Sequence, residues 1–272
     1  MKKQMNLEDK TFCFTYNLYS PDLEASIRRS GVLAPVILKD SRIISGFRRA
    51  YIANKLNIDD IPTIITTDSD LDAFLDVIIE NIAVRVLNDL EKAMIIHKLL
   101  NDFKSGDAIL KLVCKILKIG FSEYNIQKYL QISALDDDLK ELIYKKKIRW
   151  ETAVALSNLP DRHKILILLN NLKFNANFSA EIVENLKDIF RQNKGLPSEI
   201  FSFENANNLR DFLKNKKFPI LMKQERNFSK VMQLLPNNMT LKHFPYFEKD
   251  ECDLNIKFKN LEEVKQWIQS QK

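Results

Sequence analysis

The chain has 272 residues, 45% of them hydrophobic and 29% charged, with a formal net charge of +6. This length predicts two or three packed domains, and the composition excludes a globally disordered chain. Only 5 glycines and 8 prolines are present, which is too few for the many turns of a β-sandwich or barrel, so a mostly helical α+β fold is predicted.

The cysteines and the hydropathy of the sequence argue against several further classes of protein. The three cysteines lie far apart and form no CxxC pair, which argues against a zinc site and a disulfide framework. No run approaches about 18 uncharged apolar residues, and no apolar stretch follows the lysines at the start. We therefore expect no membrane span or secretory signal and a cytoplasmic protein.

The first hundred residues alternate strand and helix signals. The aromatic and β-branched run 11–16 predicts a strand. A helix is predicted from Pro21 to Ser30, because Ser20 can cap its start and Gly31 can end it. Further predictions are strands at 35–39, 42–45 and 62–66, a helix from Gly46 to about Leu56, and helical segments over 71–103 with breaks near Asn81 and Asn88. Together these predict a small α/β domain over 1–103.

Strand signals vanish from about Ala108 and return only near the end. Helices are predicted at 108–118, 122–132, 136–146, 150–158, 161–171 and 179–193, which gives an all-α domain over 104–195. The segment 196–272 is predicted to be a small α+β domain, with helices at 204–215, 219–235 and 260–270 and strands near 240–247 and 252–259. Its aromatic residues are predicted to fill a core: Phe244, Tyr246, Phe247, Phe258 and Trp267.

The middle of the chain is its most basic part per residue, and the C-terminal part is also basic. Residues 103–150 hold ten Lys and Arg against six Asp and Glu, whereas residues 1–102 hold thirteen against fifteen. The densest patch is the run Lys145-Lys146-Lys147 followed by Arg149. A basic helical segment can meet phosphates, although a solvated helix face has the same composition.

A short box at a strand-to-helix junction, Ser45-Gly46-Phe47-Arg48-Arg49, has the features of an anion site. Gly46 lets the backbone approach an anion closely, and a helix N-terminus supplies free N–H groups. Arg48 and Arg49 add bidentate donors for a phosphate. Surface arginines at a helix start are the alternative, although the helix dipole disfavours cations there.

A second box, Glu80-Asn81, follows a very apolar helical stretch. A carboxylate and an amide at this place could hold Mg²⁺ or ligand hydroxyl groups. Asn81 could equally cap the end of a helix and Glu80 could form an ion pair. Both interpretations stay open from these residues alone.

The order of the boxes carries more weight than any one of them. Ser26-Ile27 with Gly31, then Pro35-Val36-Ile37, then Ser45 to Ala50, then Glu80-Asn81 followed by Leu87 to Glu91 resembles the N-terminal domain of the ParB family, with its ParB/sulfiredoxin-like fold. The family places a helix-turn-helix domain next, and 119–130 resembles that motif, with Gly120 at the turn and 122–130 as the recognition helix. Ile116 stands where a small residue is usual, and a plain helical bundle is the alternative. The resemblance covers about 15–193.

The resemblance implies a dimeric, nucleoid-associated DNA-binding protein with a CTP-sensing N-terminal domain. It implies a role in chromosome or plasmid partition or in transcription regulation, together with a partner ATPase. The implied nucleotide-binding residues are Ser45, Gly46, Arg48, Arg49, Glu80 and Asn81, the last two also holding Mg²⁺. The implied DNA-binding residues are Ser122, Glu123, Asn125, Gln127, Lys128, Lys145, Lys146 and Lys147.

Three departures from the family pattern bear on catalysis. Phe47 replaces a common glutamate and Ala34 replaces a common glutamine, and neither side chain can position water or a metal ion. The arginine of the family's second box falls on Val84, and Arg85 comes one residue later, which is a turn of about 100° on a helix. We therefore predict nucleotide binding with little or no hydrolysis.

Two other classes of function remain open. A kinase or nuclease on the same fold would need acidic residues near Arg48, for which Glu80 and Asp76 are the candidates. Sulfiredoxin chemistry is disfavoured because the loop holds no cysteine. A non-catalytic adaptor would keep the boxes as remnants and use the C-terminal segment to bind a protein.

Overall fold

The structure, a computed structural model, describes residues 5–172 and 175–270. The chain divides into two compact units, Met1–Ser157 and Asn158–Lys272. The fold is α+β and mostly helical, as predicted. The three-domain division at 103 and 195 stays a prediction. Over the described ranges, no helix is long and apolar enough to cross a membrane.

The first unit joins a small three-stranded sheet to a set of helices. Its sheet has the order β2-β1-β3, with β1 antiparallel to β2 and parallel to β3. Ser20 caps the first helix and Gly31, at φ +69°, ends it, as predicted. The elements are α1 (Pro21–Ser30), β1 (Val36–Lys39), β2 (Arg42–Ser45), α2 (Phe47–Lys55), β3 (Thr63–Ile65), α3 (Asp70–Val84), α4 (Asp89–Asn101), α5 (Asp107–Ile116), α6 (Glu123–Ser133), α7 (Asp137–Tyr144) and α8 (Trp150–Ser157).

The strand predicted at 11–16 is wrong. The backbone turns at 11–12 and stays irregular, while Phe12, Cys13 and Phe14 are all buried. Three consecutive buried side chains do not suit a strand with one solvent face, because strand side chains alternate. The aromatic rings instead anchor the segment to the core, Phe12 against Phe103 at 5.8 Å and Phe14 against Phe74 at 6.1 Å.

The break predicted near Asn81 is also wrong, whereas the one near Asn88 is confirmed. Asn81 lies inside α3, where its side-chain amide donates to the Val77 carbonyl. The break falls at 85–88 because Asn88 caps α4 in a reciprocal capping box with Glu91. Glu80 therefore lies inside α3 and not at its end.

The two helices predicted for the DNA-binding motif are present as α5 and α6. The left-handed residue in their turn is Lys118, at φ +56°, and not Gly120. An added Cβ at Gly120 would lie 3.1 Å from Asn125 Nδ2, a closer contact than most Cβ atoms make. That amide donates to the Gly120 carbonyl at 2.7 Å.

The second unit has the predicted order of two helices, two strands and a final helix at its end. Its elements are α9 (Arg162–Asn171), α10 (Ala176–Asn193), α11 (Ala206–Lys217), α12 (Pro219–Leu234), β4 (Met239–His243), β5 (Cys252–Ile256) and α13 (Leu261–Ser270), with 3₁₀ turns at 198–202 and 245–247. Strands β4 and β5 pair antiparallel. From 214 to 270 no described side chain is buried. The aromatic core predicted there is therefore wrong, since those rings lie on exposed or half-buried surface.

Asp70, at the start of α3, ties that helix to the sheet. Its carboxylate accepts from Arg42 at 2.9 and 3.1 Å and from Lys39 at 2.6 Å. These hydrogen bonds, Arg42 first, lower the pKa of Asp70 below its usual value. The stabilisation of the folded state by the Asp70 carboxylate is therefore fully present above its unfolded pKa of about 3.9. It is lost as the pH falls through the folded pKa.

We expect Asp70→Asn to flatten the acid limb of the stability curve. The difference in unfolding free energy from the wild type should be largest near neutral pH and shrink below about pH 4, measured by denaturant titration at several pH values. Asp22→Asn is the matched control, since Asp22 also lies in the first turn of a helix. A difference that stays constant with pH would contradict the ion-pair explanation.

Candidate functional site

An open pocket of about 240 Å³ lies where β2, α2 and α3 meet residues 12–15. All six residues predicted to bind a nucleotide line it. The lining is Phe12, Phe14, Thr15, Leu23, Ile44, Ser45, Gly46, Phe47, Arg48, Arg49, Val77, Glu80, Asn81, Val84 and Arg85. The pocket lining therefore combines apolar side chains with the three arginines Arg48, Arg49 and Arg85.

The N-terminus of α2 forms one side of the pocket. Gly46 precedes the helix at φ +94°, and no side chain caps the first N–H groups. The Nε atoms of Arg48 and Arg49 are buried and have no hydrogen-bond partner among the described residues. Because buried donors without partners are rare and costly, these atoms fit an anion that completes their hydrogen bonding.

The backbone at Gly46 fits closely around Arg49. An added Cβ would lie 2.9 Å from Arg49 Nη2 and 3.2 Å from Val36 Cγ2. Arg49 Nη2 also donates to the Pro35 carbonyl at 2.9 Å. This hydrogen bond holds the Arg49 guanidinium at the pocket, and the absence of a side chain at Gly46 leaves the space that it occupies.

Glu80 and Asn81 differ in what they can offer a metal ion. Ser45 Oγ donates to Glu80 Oε2 at 2.8 Å, and Glu80 itself is exposed. Mg²⁺ is often held by one carboxylate together with phosphates and water, so Glu80 fits that role. Asn81 Oδ1 instead accepts from Arg85 Nε at 3.1 Å, so its carbonyl oxygen already has a partner.

Arg85 is a pocket residue that the sequence interpretation missed. Helix α3 ends at Val84, and Arg85 takes extended backbone at φ −156°, so helical spacing does not set its direction. Its side chain lines the pocket and binds both oxygens of Glu91 at 2.8 and 2.7 Å. The break near Asn88 was predicted, and Arg85 was missed because it was counted at helical spacing although it lies within that break.

The structure places the residues that depart from the family pattern, and the acidic candidate Asp76, relative to the pocket. Phe47 lines the pocket with a side chain only 6% exposed, packed in the main core. Ala34 is exposed and is not among the residues that line the pocket. Asp76 is exposed and also lies outside the lining, so it does not pair with Glu80 there.

The sequence model of the ParB N-terminal domain matches residues 20–82, which include the whole junction at Gly46 and most of α3. Residues 20–82 of this chain therefore form a ParB N-terminal domain.

Two relatives carry the name "Probable chromosome-partitioning protein ParB". The one from Vibrio cholerae is 28% identical over 151 residues, 54% of this chain and 50% of the relative. The one from Neisseria meningitidis is 27% identical over 201 residues, 72% of this chain and 68% of the relative. The chain thus spans half the length of the first of these ParB proteins and about two thirds of the second.

A solved structure is also similar. It is the C-terminally truncated chromosome-partitioning protein ParB from Caulobacter crescentus, complexed to the centromeric parS site. The TM-score is 0.35 with 17% identity, over 62% of this chain and 91% of that chain. A likeness at this TM-score assigns no role to any residue of this chain.

The predicted recognition helix is α6, which lies after the segment that matches the ParB N-terminal domain. Ser122 Oγ caps it by accepting the Asn125 N–H at 3.2 Å. Glu123 and Gln127 are exposed, while Lys128 Nζ lies 4.5 Å from the centre of the Trp150 ring. Ser122 and Asn125 thus form the cap at the start of α6, and Lys128 lies against Trp150. That these residues of α6 contact DNA stays a prediction.

The predicted basic run follows α7. Lys145, Lys146 and Lys147 are all exposed. Lys146 is left-handed at φ +55°, and Lys145 pairs with Glu141 at 2.9 Å. The run therefore lies on accessible surface, where it can meet a phosphate backbone.

Replacing Gly46 by alanine tests the junction directly. Because φ +94° strains any residue with a Cβ, we expect Gly46→Ala to lower the unfolding free energy by about 1–3 kcal/mol. Gly106→Ala is the matched control, since Gly106 precedes α5 at φ −74° with open space where a Cβ would go. Denaturant titration measures the unfolding free energy of both variants. An equal loss of unfolding free energy in the two would contradict a special role for Gly46.

Proposed function

We propose that this chain binds CTP in the pocket at Gly46 and binds DNA through its helical segment, α5 to α8. The observation that carries the proposal is the pair of buried, unpartnered guanidinium nitrogens of Arg48 and Arg49 beside an uncapped helix N-terminus, all within the described residues. This combination of donors suits a phosphate chain. The apolar side chains of the pocket lining suit a ribose or a base.

The size of the pocket indicates how the nucleotide would sit. At about 240 Å³ it is slightly below the range of about 300–1,000 Å³ for pockets that enclose a drug-sized ligand. We infer that the phosphates are enclosed and that the base reaches the open rim. Mg²⁺ would be held by Glu80 and the phosphates, and it would neutralise charge there.

The cellular role that we propose is DNA partition. The Vibrio and Neisseria relatives are both called chromosome-partitioning proteins, and the exposed lysine run supports binding to a phosphate backbone. A position on the nucleoid follows from such a role. Partition of a plasmid, transcription regulation and a partner ATPase remain expectations of the family.

The proposal is tested by two measurements on the full chain. A ligand of the native state raises the melting temperature by mass action, so CTP with Mg²⁺ should raise it more than ATP, GTP or UTP. A labelled DNA duplex should shift on a gel at low salt and lose binding steeply as salt increases. No thermal shift with any nucleotide and no DNA binding at low salt would sink the proposal and favour an adaptor.

We expect CTP binding without appreciable hydrolysis. Phe47 and Ala34 offer no polar atom to position water, and Asp76 lies outside the pocket. Phosphate release from CTP, measured with Mg²⁺ and DNA present, should therefore stay at the background of a protein-free control. Release that depends on the protein and disappears in Glu80→Ala would contradict this and favour an enzyme.

We propose further that the segment 218–270 forms a homodimer with a second copy. A two-stranded sheet is marginal alone in water, and no described side chain of this segment is buried. Its large exposed apolar side chains are Phe218, Ile220, Val231, Leu234, Phe244, Tyr246, Leu254, Leu261 and Ile268.

The dimer is tested by sedimentation equilibrium of the full chain. The wild type should be dimeric, and Leu234→Asp should shift it toward the monomer without loss of CTP binding. Lys230→Asp is the control, since it places the same carboxylate at an exposed position of the same helix. A monomeric wild type would contradict the dimer.

A further inference from the structure

Another pocket of the first unit lies along the outer side of α5. It is an open groove of about 480 Å³, larger than the pocket of about 240 Å³ at Gly46. The groove shares no lining residue with that pocket and lies outside the basic run 145–147. Its lining is Ala108, Lys111, Leu112, Lys115, Ile119 and Phe121. We name it the α5 groove.

Helix α5 carries apolar residues on two opposite sides. Leu110, Val113 and Cys114 are buried and pack in the main core. At about 100° per residue, Ala108 and Leu112 lie on the other side of the helix, where Leu112 is 53% exposed. A surface helix usually presents polar residues on that side. The outer side of α5 therefore has the composition of a face that packs against a further element.

The turn after α5 adds a second large apolar side chain to the groove. Lys118 is left-handed at φ +56°, and the Ile119 N–H donates to the Cys114 carbonyl at 2.8 Å, which fixes the turn against the helix. Phe121 follows with 45% of its surface exposed. One exposed apolar side chain is ordinary on a protein surface, whereas Leu112 and Phe121 line the same groove.

The charge of the groove is positive. Lys111 and Lys115 are both exposed, and in the described part of the chain no acidic side chain is among the lining residues. The two lysines are four residues apart, so they lie on the same side of α5 as Leu112. A phosphate backbone could pair with the lysines, but it would leave Leu112 and Phe121 without an apolar partner. Carboxylates beside an apolar face complement both features.

We propose that the α5 groove binds an acidic amphipathic helix of a partner protein. The apolar face of that helix covers Leu112 and Phe121, and its carboxylates pair with Lys111 and Lys115. The part of α5 that lines the groove, 108–115, is about 10 Å long, which is about two turns of a helix. Anchors at i, i+3, i+4 and i+7 of the partner match this length. The proposal goes beyond nucleotide and DNA binding and depends on neither.

The test uses a designed peptide and the full chain. The probe is a fluorescein-labelled peptide of about 21 residues built from the repeat Ala-Leu-Glu-Glu-Leu-Leu-Gln, which is long enough for a helix and places its leucines on one side. Fluorescence anisotropy should show binding at least about tenfold tighter than for two control peptides. One control has the same residues shuffled so that no apolar face forms, and the other has lysine in place of every glutamate.

Variants of exposed residues assign the binding to the groove. Leu112→Gln removes the apolar contact without adding charge and should weaken peptide binding about tenfold. Lys111→Glu combined with Lys115→Glu should weaken it by at least about tenfold. Lys223→Glu combined with Lys230→Glu is the matched control, since it changes the net charge equally at exposed lysines of α12, and it should stay within about twofold of the wild type. The melting temperature of each variant shows that it folds.

DNA and a second copy of the chain are the alternative occupants. We expect Leu112→Gln to match the wild type in binding a labelled DNA duplex and in sedimentation equilibrium. If it loses duplex binding, or shifts toward the monomer, the groove belongs to DNA or to a second copy and the proposal is overturned. The proposal is also overturned if the wild type binds the acidic peptide no better than the shuffled one, or if Leu112→Gln keeps the wild-type affinity for it.

Discussion

Arg48→Ala is expected to weaken CTP binding about 10- to 100-fold. The buried Nε of Arg48 has no partner in the described part of the chain, so a phosphate supplies its missing hydrogen bond. A hydrogen bond that involves a charged group contributes about 1.5–3 kcal/mol, and each 1.4 kcal/mol is about a factor of ten in affinity. Isothermal titration of CTP with Mg²⁺ into the full chain measures the effect.

Two further variants sharpen this experiment. Arg29→Ala removes an exposed arginine that lies on α1 outside the pocket, and it should leave the dissociation constant unchanged. Arg48→Lys keeps the charge but loses the planar fork, so it should restore only part of the affinity. Equal losses for Arg29→Ala and Arg48→Ala would mean that overall charge, and not the pocket, attracts the nucleotide.

Glu91→Ala is expected to lower the unfolding free energy by about 1.5–3 kcal/mol, the usual value for a hydrogen bond to a charged group, since Glu91 is buried but Arg85 is only half-buried. The Glu91 side chain is 4% exposed and binds both Arg85 and the Asn88 N–H. Its removal leaves the arginine without this partner and opens the capping box of α4. Denaturant titration measures the loss.

A double-mutant cycle separates the two contributions. Arg85→Ala added to Glu91→Ala should cost much less than the sum of the single losses, because the second change removes the unpaired charge. Glu123→Ala, at an exposed first-turn glutamate of α6, should change stability by less than about 0.5 kcal/mol. Additive losses in the cycle would contradict a coupled pair.

Local chemistry predicted some elements almost to the residue. Helix α1 begins at Pro21 and ends at Ser30 because Ser20 and Gly31 specify both ends. The junction at Gly46 was also visible, because a glycine followed by two arginines at a helix start is typical of backbone that approaches an anion. These features depend only on residues that are close together in the sequence, so they can be predicted from the sequence alone.

Long-range contacts decided the features that were missed. Residues 11–16 have strand composition, but Phe12 and Phe14 are drawn into the core by Phe103 and Phe74. Arg85 joins the pocket because its partner Glu91 lies past a helix break. The strand predicted near 252–259 is present as β5, Cys252–Ile256, yet it is largely exposed, because no element of the described chain buries its apolar face.

A CTP phosphate chain bound at Gly46, Arg48 and Arg49 is the central element of the proposed function. Amide hydrogen exchange of the full chain, with and without saturating CTP and Mg²⁺, tests it most directly, because exchange reports protection at each segment. We predict slower exchange over 45–50 and around Glu80 and Asn81, with no slowing in the second unit. Unchanged exchange at 45–50 under saturating CTP, or protection confined to 158–270, would contradict nucleotide binding at this pocket.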